Sequence, residues 1–67
     1  MKFEYDRDVD AAYIYLQHPI KDGEVKNTVE LDNINLDYDK DGKLVGIEIL
    51  NASRLISRKI LSGALTK

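Results

Sequence analysis

The chain has 67 residues, of which 43% are apolar and 33% charged, with a net charge of −2, so it forms one small globular domain. It has no cysteine and one histidine. Disulfides, thiolate zinc sites, iron–sulfur clusters, a cysteine nucleophile and a multi-histidine metal site within one chain are therefore excluded. A polar N-terminus and the lack of an apolar run near ~18 residues predict a cytoplasmic protein without a secretory signal or membrane span.

The small size of the chain predicts self-association. A domain of this length buries only about 60% of the surface that its unfolded chain exposes. Because no disulfide is available as an additional constraint, contact with a second copy is the simplest further source of burial. We expect a homo-oligomer, and a two-fold dimer is the commonest kind.

The N-terminal third predicts two strands joined by an acidic turn. Apolar and polar residues alternate over residues 1–6, which is typical of a half-buried strand. Residues 6–10 read as a turn or one short helical turn. Residues 11–16 are rich in β-forming side chains and apolar on both faces, so this strand should be central. Tyr13 and Tyr15 share one of its faces.

The middle of the chain predicts three further strands after a loop at residues 18–23. Alternation over residues 24–31, 34–38 and 43–50 defines them. The Asp41-Gly42 pair between the last two strands favours a hairpin turn. The apolar faces of these strands comprise Val25, Val29, Leu31, Ile34, Leu36, Tyr38, Val45, Ile47 and Ile49.

The C-terminal segment, residues 51–67, predicts one helix that begins at a cap on Asn51 or Ser53. Its apolar stripe consists of Ala52, Leu55, Ile56, Ile60 and Ala64. Leu61 and Leu65 form a second ridge four residues apart, which is either a self-association surface or two exposed leucines near a fraying end. The segment holds four basic and no acidic side chains, and Gly63 could end the helix early.

Together these elements predict an α+β domain over residues 1–67. A sheet body at 1–50 forms an antiparallel meander of four to five strands, and a helix at 51–67 packs on one face.

Three segments share a pattern with a known family: KFEYD at residues 2–6, DAAYIYL at 10–16 and LDYDKDGKLVGIEILNAS at 36–53. Together they resemble the family named domain of unknown function 2283. The resemblance implies a small bacterial, archaeal or phage protein with no established activity and no catalytic residues to transfer. Some members resemble the antitoxin partner of a small toxin. Within the shared pattern, Gly46 allows a bulge or a close backbone approach.

One motif could bind a cation. Asp37, Asp39, Asp41 and Glu48 match the spacing of a calcium-binding EF-hand loop. An EF-hand loop lies between two helices, whereas these residues lie between two predicted strands, so the hypothesis of a solvated acidic turn is favoured over a calcium site. The aspartates at positions 6, 8 and 10 are interpreted in the same way, as turn and cap residues.

The remaining candidates favour binding over catalysis. His18 is a lone imidazole with no nucleophile in a catalytic context, so we predict no enzyme, no cofactor and no catalytic residue. The tyrosine pair is either a binding platform or packing beneath the helix or a dimer partner. We predict a non-enzymatic protein-interaction module that does not bind nucleic acid or membrane. One version of this hypothesis is that the protein is the antitoxin-like partner of a small toxin. The predicted interface residues are Tyr13, Tyr15, Arg54, Arg58, Leu61 and Leu65.

Overall fold

A computed structural model describes residues 1–66 of the chain. The structure is α+β and consists of one sheet and two short helices. Its elements in chain order are β1 (Lys2–Asp6), β2 (Ala11–Tyr15), β3 (Asn27–Leu31), β4 (Ile34–Tyr38), β5 (Leu44–Leu50), α1 (Ala52–Leu55), α2 (Arg58–Ser62) and β6 (Leu65–Thr66).

The sheet has six strands in the order β3-β4-β5-β2-β1-β6. β2 and β5 lie at its centre, as predicted for β2. The predicted simple meander is wrong, because β2 pairs with β5 instead of β3 and the segment between β2 and β3 crosses to the far edge. The sheet is also not purely antiparallel, since β6 runs parallel to β1.

The predicted hairpin between β4 and β5 is confirmed. Asp39 organises its turn, because its carboxylate accepts hydrogen bonds from the backbone N–H groups of Asp41 and Lys43, each at 2.9 Å. Gly42 adopts a φ of 75°, a conformation that favours glycine. The acidic residues of this turn therefore stabilise the backbone bend.

The register of the strands separates the sheet into two chemically different faces. One face carries aromatic and aliphatic side chains, including Phe3, Ala12, Ile14, Ile47 and Ile49. Both helices lie on this face, where Ala52 and Leu61 form a core with Ala12. The helices cover only the half of the face formed by β1, β2 and β5. The opposite face is polar and carries both tyrosines of β2.

The sequence predicted that β3 contributes to the core, but it does not. All five of its residues are exposed, and Val29 and Leu31 lie on the apolar face at 42% and 54% exposure. Val25 precedes the strand. β3 is an edge strand far from the helices, so its alternating pattern identifies a face that residues 1–66 leave exposed.

The sequence predicted one C-terminal helix over residues 51–67, but the structure has two short helices and a short strand there. Ile56 is extended, and Ser57 begins a second helix by accepting a hydrogen bond from the N–H of Ile60 at 3.3 Å. A serine hydroxyl competes with helical backbone bonding in this way. Gly63 ends α2, as its position predicted, and residues 65–66 form β6. Lys67 lies outside the described residues.

α1 is capped from a distance. Neither Asn51 nor Ser53 supplies the side-chain cap that the sequence predicted. Instead the carboxylate of Asp10 accepts hydrogen bonds from the backbone N–H and the hydroxyl of Ser53 at 2.9 and 2.7 Å, and from the Tyr5 hydroxyl at 2.6 Å. The Asp10 carbonyl accepts the N–H of Ala52. This cluster, which we call the Asp10 clamp, joins β1, the β1–β2 turn and α1.

The clamp makes stability depend on pH in a definite direction. Hydrogen bonds from Tyr5 and then from Ser53 lower the pKa of Asp10 below its ordinary value. Stability from the clamp is thus fully present above the unfolded-state value of about 3.9 and is lost as the pH falls through the lower folded-state pKa. Asp10→Asn is expected to lower the Tm at neutral pH by roughly 5 °C, measured by circular dichroism.

The matched control for the clamp is Asp8→Asn, in the same acidic turn, which should change the Tm little. The difference between wild type and Asp10→Asn should shrink as the pH of the scans falls through the lowered folded-state pKa of Asp10. A difference that stays constant between neutral and acidic pH would contradict the role assigned to the carboxylate.

Candidate functional site

The polar face of the sheet centres on the two tyrosines of β2. Register places Tyr13 beside Glu48 and Tyr15 beside Gly46, on the side of the sheet away from the helices. The two rings lie 4.6 Å apart between centroids and are tilted by 55°. This arrangement excludes packing beneath the helix, so a binding platform and packing against a dimer partner stay open as predictions. We call this surface the tyrosine face.

Tyr13 is held in place by a glycine and a carboxylate. Its ring crosses Gly46, where a Cβ atom would overlap the phenol. Its hydroxyl donates to Asp37 at 2.5 Å, and Asp37 also accepts the Thr28 hydroxyl at 2.7 Å. Burial and then the bond to Asp37 raise the pKa of Tyr13 far above its ordinary value, so the phenol remains a donor. The sequence predicted a bulge or a close backbone approach at Gly46; the register shifts beside it, between Asp37 and Tyr38, and the group that approaches the glycine is a side chain.

Tyr15 is held in a similar way at the other end of the pair. Its hydroxyl donates to Glu4 at 2.7 Å, and this bond, followed by burial, raises its pKa. The Lys2 ammonium lies 5.2 Å from the centre of the Tyr15 ring and 3.3 Å from a carboxylate oxygen of Glu4. The face thus already binds one cation of its own chain between an aromatic ring and a carboxylate.

The tyrosine face is strongly acidic. The strands place one lysine, Lys2, on this face together with five carboxylates, which belong to Glu4, Asp6, Glu30, Asp37 and Glu48. Glu48 accepts a hydrogen bond from Asn35 at 3.0 Å. Within residues 1–66 no lysine or arginine lies within ion-pair distance of Asp37 or Glu48. A small cleft of about 120 Å³ beside the tyrosines is lined in part by Glu4, Asp6 and Glu48.

The carboxylates considered for calcium do not form a cage. Asp37 and Glu48 lie on the strands of the hairpin and accept hydrogen bonds from Tyr13 and Asn35, while Asp39 bonds the turn backbone. The part of the chain that the structure describes contains no group of three or more metal-ligating side chains. The side-chain arrangement gives calcium binding no support.

The leucines and arginines predicted for an interface are distributed over different environments. Leu61 is a core residue at 9% exposure, whereas Leu65 lies in β6 at 55% exposure, so the predicted helical ridge is wrong. Arg54 is exposed on α1. Arg58 and Arg7 line an open groove of about 590 Å³ between α2 and β1. Whether Tyr13, Tyr15 and the arginines contact a partner stays a prediction.

His18 lies at the edge of the tyrosine face. Its ring packs edge-on against Tyr15, with centroids 5.5 Å apart, and its Nε2 is 3.4 Å from the Lys2 ammonium. The serine hydroxyls with assigned partners serve the Asp10 clamp and the ends of α2. The histidine is therefore part of the aromatic surface, and its contacts include no hydroxyl nucleophile.

Comparison with known proteins identifies the family. The model of a family described as a protein of unknown function, DUF2283, matches residues 2–53, which is most of the chain. The chain belongs to the DUF2283 family. The match ends at Ser53, the residue that closes the Asp10 clamp, so the shared segment contains β1 to β5 and both ends of the clamp. The matched segment contains the clamp, the hairpin turn and the Tyr13–Gly46 contact of this chain.

One relative is an uncharacterised archaeal protein, MJ0789 of Methanocaldococcus jannaschii, which is 43% identical over 58 residues. The alignment covers 85% of this chain and 46% of the relative, so the chain spans about half the length of that protein. No solved structure matches the chain. None of the helices within residues 1–66 is long and apolar enough to cross a membrane.

Proposed function

We propose that this DUF2283 protein is a non-enzymatic interaction module that binds a basic segment of another protein through its tyrosine face. The observation that carries the proposal is the pairing of each tyrosine hydroxyl with a carboxylate on an otherwise uncovered, acidic face. Tyrosine is enriched in protein interfaces because it offers a large, amphipathic contact area at low entropic cost.

Preorganisation supports this role. The hydrogen bonds to Asp37 and Glu4 fix the two rings before a partner arrives, which lowers the entropy lost on binding. Lys2 indicates the chemistry that the face accepts, since its ammonium lies over the Tyr15 ring beside Glu4. A partner lysine or arginine can make the same contacts with Tyr13 and Glu48, where residues 1–66 supply no ion-pairing cation.

Charge selects the class of partner. Five carboxylates against one lysine attract a basic surface and repel the phosphates of nucleic acid. The antitoxin role suggested by the resemblance is the special case in which the partner is a small basic toxin. We also propose that the protein is cytoplasmic, as the sequence predicts.

The proposal is tested by site-specific photo-crosslinking in the organism of origin. A benzophenone amino acid replaces Tyr15 in one strain and Lys40, at the tip of the hairpin, in the control strain. We expect one basic protein to be crosslinked from position 15 and not from position 40. Adding Glu48→Lys should abolish that adduct by charge repulsion.

Two results would overturn the proposal. One is equal crosslinking from positions 15 and 40, which indicates random encounter. The other is a position-15 adduct that survives Glu48→Lys, because a partner indifferent to the charge of the face is not recognised by it.

A further inference from the structure

We infer that a second copy of this chain covers the open half of the apolar sheet face, so that two copies pack sheet against sheet. This open apolar face lies beyond the helices and opposite the tyrosine face, so the inference goes beyond the proposed function. Its most exposed members are Val29, Leu31 and Ile34, at 42%, 54% and 38% exposure. The register aligns Ile34 with Ile49 and Val29 with Leu36, which makes the surface continuous with the core.

The buried core of one chain is small. Among residues 1–66, the buried apolar residues are Ala12, Val45, Ala52 and Leu61, and two of these are alanines. Domains of this size without disulfides or metal sites need extra burial, which oligomerisation provides. The open apolar face is a surface that offers this burial.

The exposed area matches what a dimer needs. The accessible surface is 4950 Å², whereas a compact monomer of this mass exposes about 4,300 Å². The excess, about 650 Å², is close to the roughly 800 Å² that each partner buries in a standard interface. The radius of gyration, 11.9 Å, also exceeds the value of about 11 Å expected for 67 compact residues.

The chemistry of the face favours a second copy over a foreign chain. The strand positions on this face within β1 to β5 carry no charged side chain, so two copies meet without repulsion, while the carboxylates point to the opposite side. Two aliphatic sheet faces can interdigitate at about 10 Å separation. A second copy is present whenever the chain is made, so it is always available to cover this face.

The test compares two lysine substitutions on neighbouring residues of β3. Leu31→Lys changes the open apolar face, and Glu30→Lys changes the opposite face of the same exposed strand. Light scattering after size exclusion should give the wild type twice the 7.6 kDa mass of one chain. Leu31→Lys should raise the dimer Kd more than about 100-fold, because a two-fold interface would bury the charge twice, and Glu30→Lys should leave it nearly unchanged.

A second measurement does not depend on introducing charge. The chain lacks cysteine, so Leu31→Cys and Glu30→Cys each provide a single thiol. Maleimide labelling at position 31 should slow as the protein concentration rises, whereas labelling at position 30 should not. A wild-type monomer that unfolds cooperatively at all concentrations overturns the inference, as does a dimer disrupted by Glu30→Lys and not by Leu31→Lys. A wild-type monomer would leave the proposed function untouched, whereas a dimer disrupted only by Glu30→Lys would place the interface on the tyrosine face, where Glu30 lies.

Discussion

Gly46→Ala is expected to lower the free energy of unfolding by about 2–3 kcal/mol, because the new methyl group would occupy the position of the Tyr13 phenol. The ring would have to move, and its hydrogen bond to Asp37 would be lost. Urea unfolding followed by circular dichroism measures the change. The substitution should also reduce any crosslinking from the tyrosine face, since the rings would no longer be held.

Gly63→Ala is the matched control, because a Cβ atom there would make only an ordinary contact with the Ile60 carbonyl, at 3.6 Å. A sharper control repeats Gly46→Ala in a Tyr13→Ala background. Without the ring, alanine at position 46 should be neutral or mildly stabilising, since glycine is unfavourable within strands. An equal cost in both backgrounds would show that Tyr13 is not the reason for the glycine.

The local features of this fold could be predicted from the sequence, and the reason is physical. Alternation, β-branched residues and the Asp41-Gly42 turn act over a few residues, so β1, β2, β4, β5 and their hairpin were predicted close to their observed positions. Gly63 ends α2 for an equally local reason. The family could also be identified, because its pattern spans these same local features.

The non-local features could not be predicted in this way. Strand order depends on which strand edges meet. The same period-two pattern would be found in β3 whether it lay beside β2 or, as observed, at the far edge beside β4. The cap on α1 comes from Asp10, 43 residues before Ser53, and no local rule connects the two.

The candidate site also combines local features, which the sequence predicts, with non-local features, which it does not. Alternation along β2 was enough to place Tyr13 and Tyr15 on one face, but it could not tell which face the helices cover. The contacts with Asp37 and Glu4 depend on pairing with β1, β4 and β5. Leu61 was misplaced because helical spacing groups it with Leu65, and the break at Ile56 and Ser57 re-orients α2.

Leu61→Ala is expected to destabilise the protein by about 3 kcal/mol, since it removes one of the four buried apolar side chains described and leaves a cavity against Ala12 and Ala52. Small single-core domains have about 3–5 kcal/mol of stability in total. The variant should therefore be largely unfolded at 37 °C, as measured by near-ultraviolet circular dichroism and amide hydrogen exchange.

Leu65→Ala separates the core role from a surface role. Leu65 is 55% exposed in β6, so its truncation should cost less than about 1 kcal/mol and leave the folded spectrum unchanged. If Leu65→Ala proved as destabilising as Leu61→Ala, the two leucines would act as the single ridge that helical spacing suggests, and α2 would not pack through Leu61. A larger cost for Leu61→Ala than for Leu65→Ala would instead show that the small core around Leu61 holds the short helices. That core leaves the far half of the apolar face uncovered.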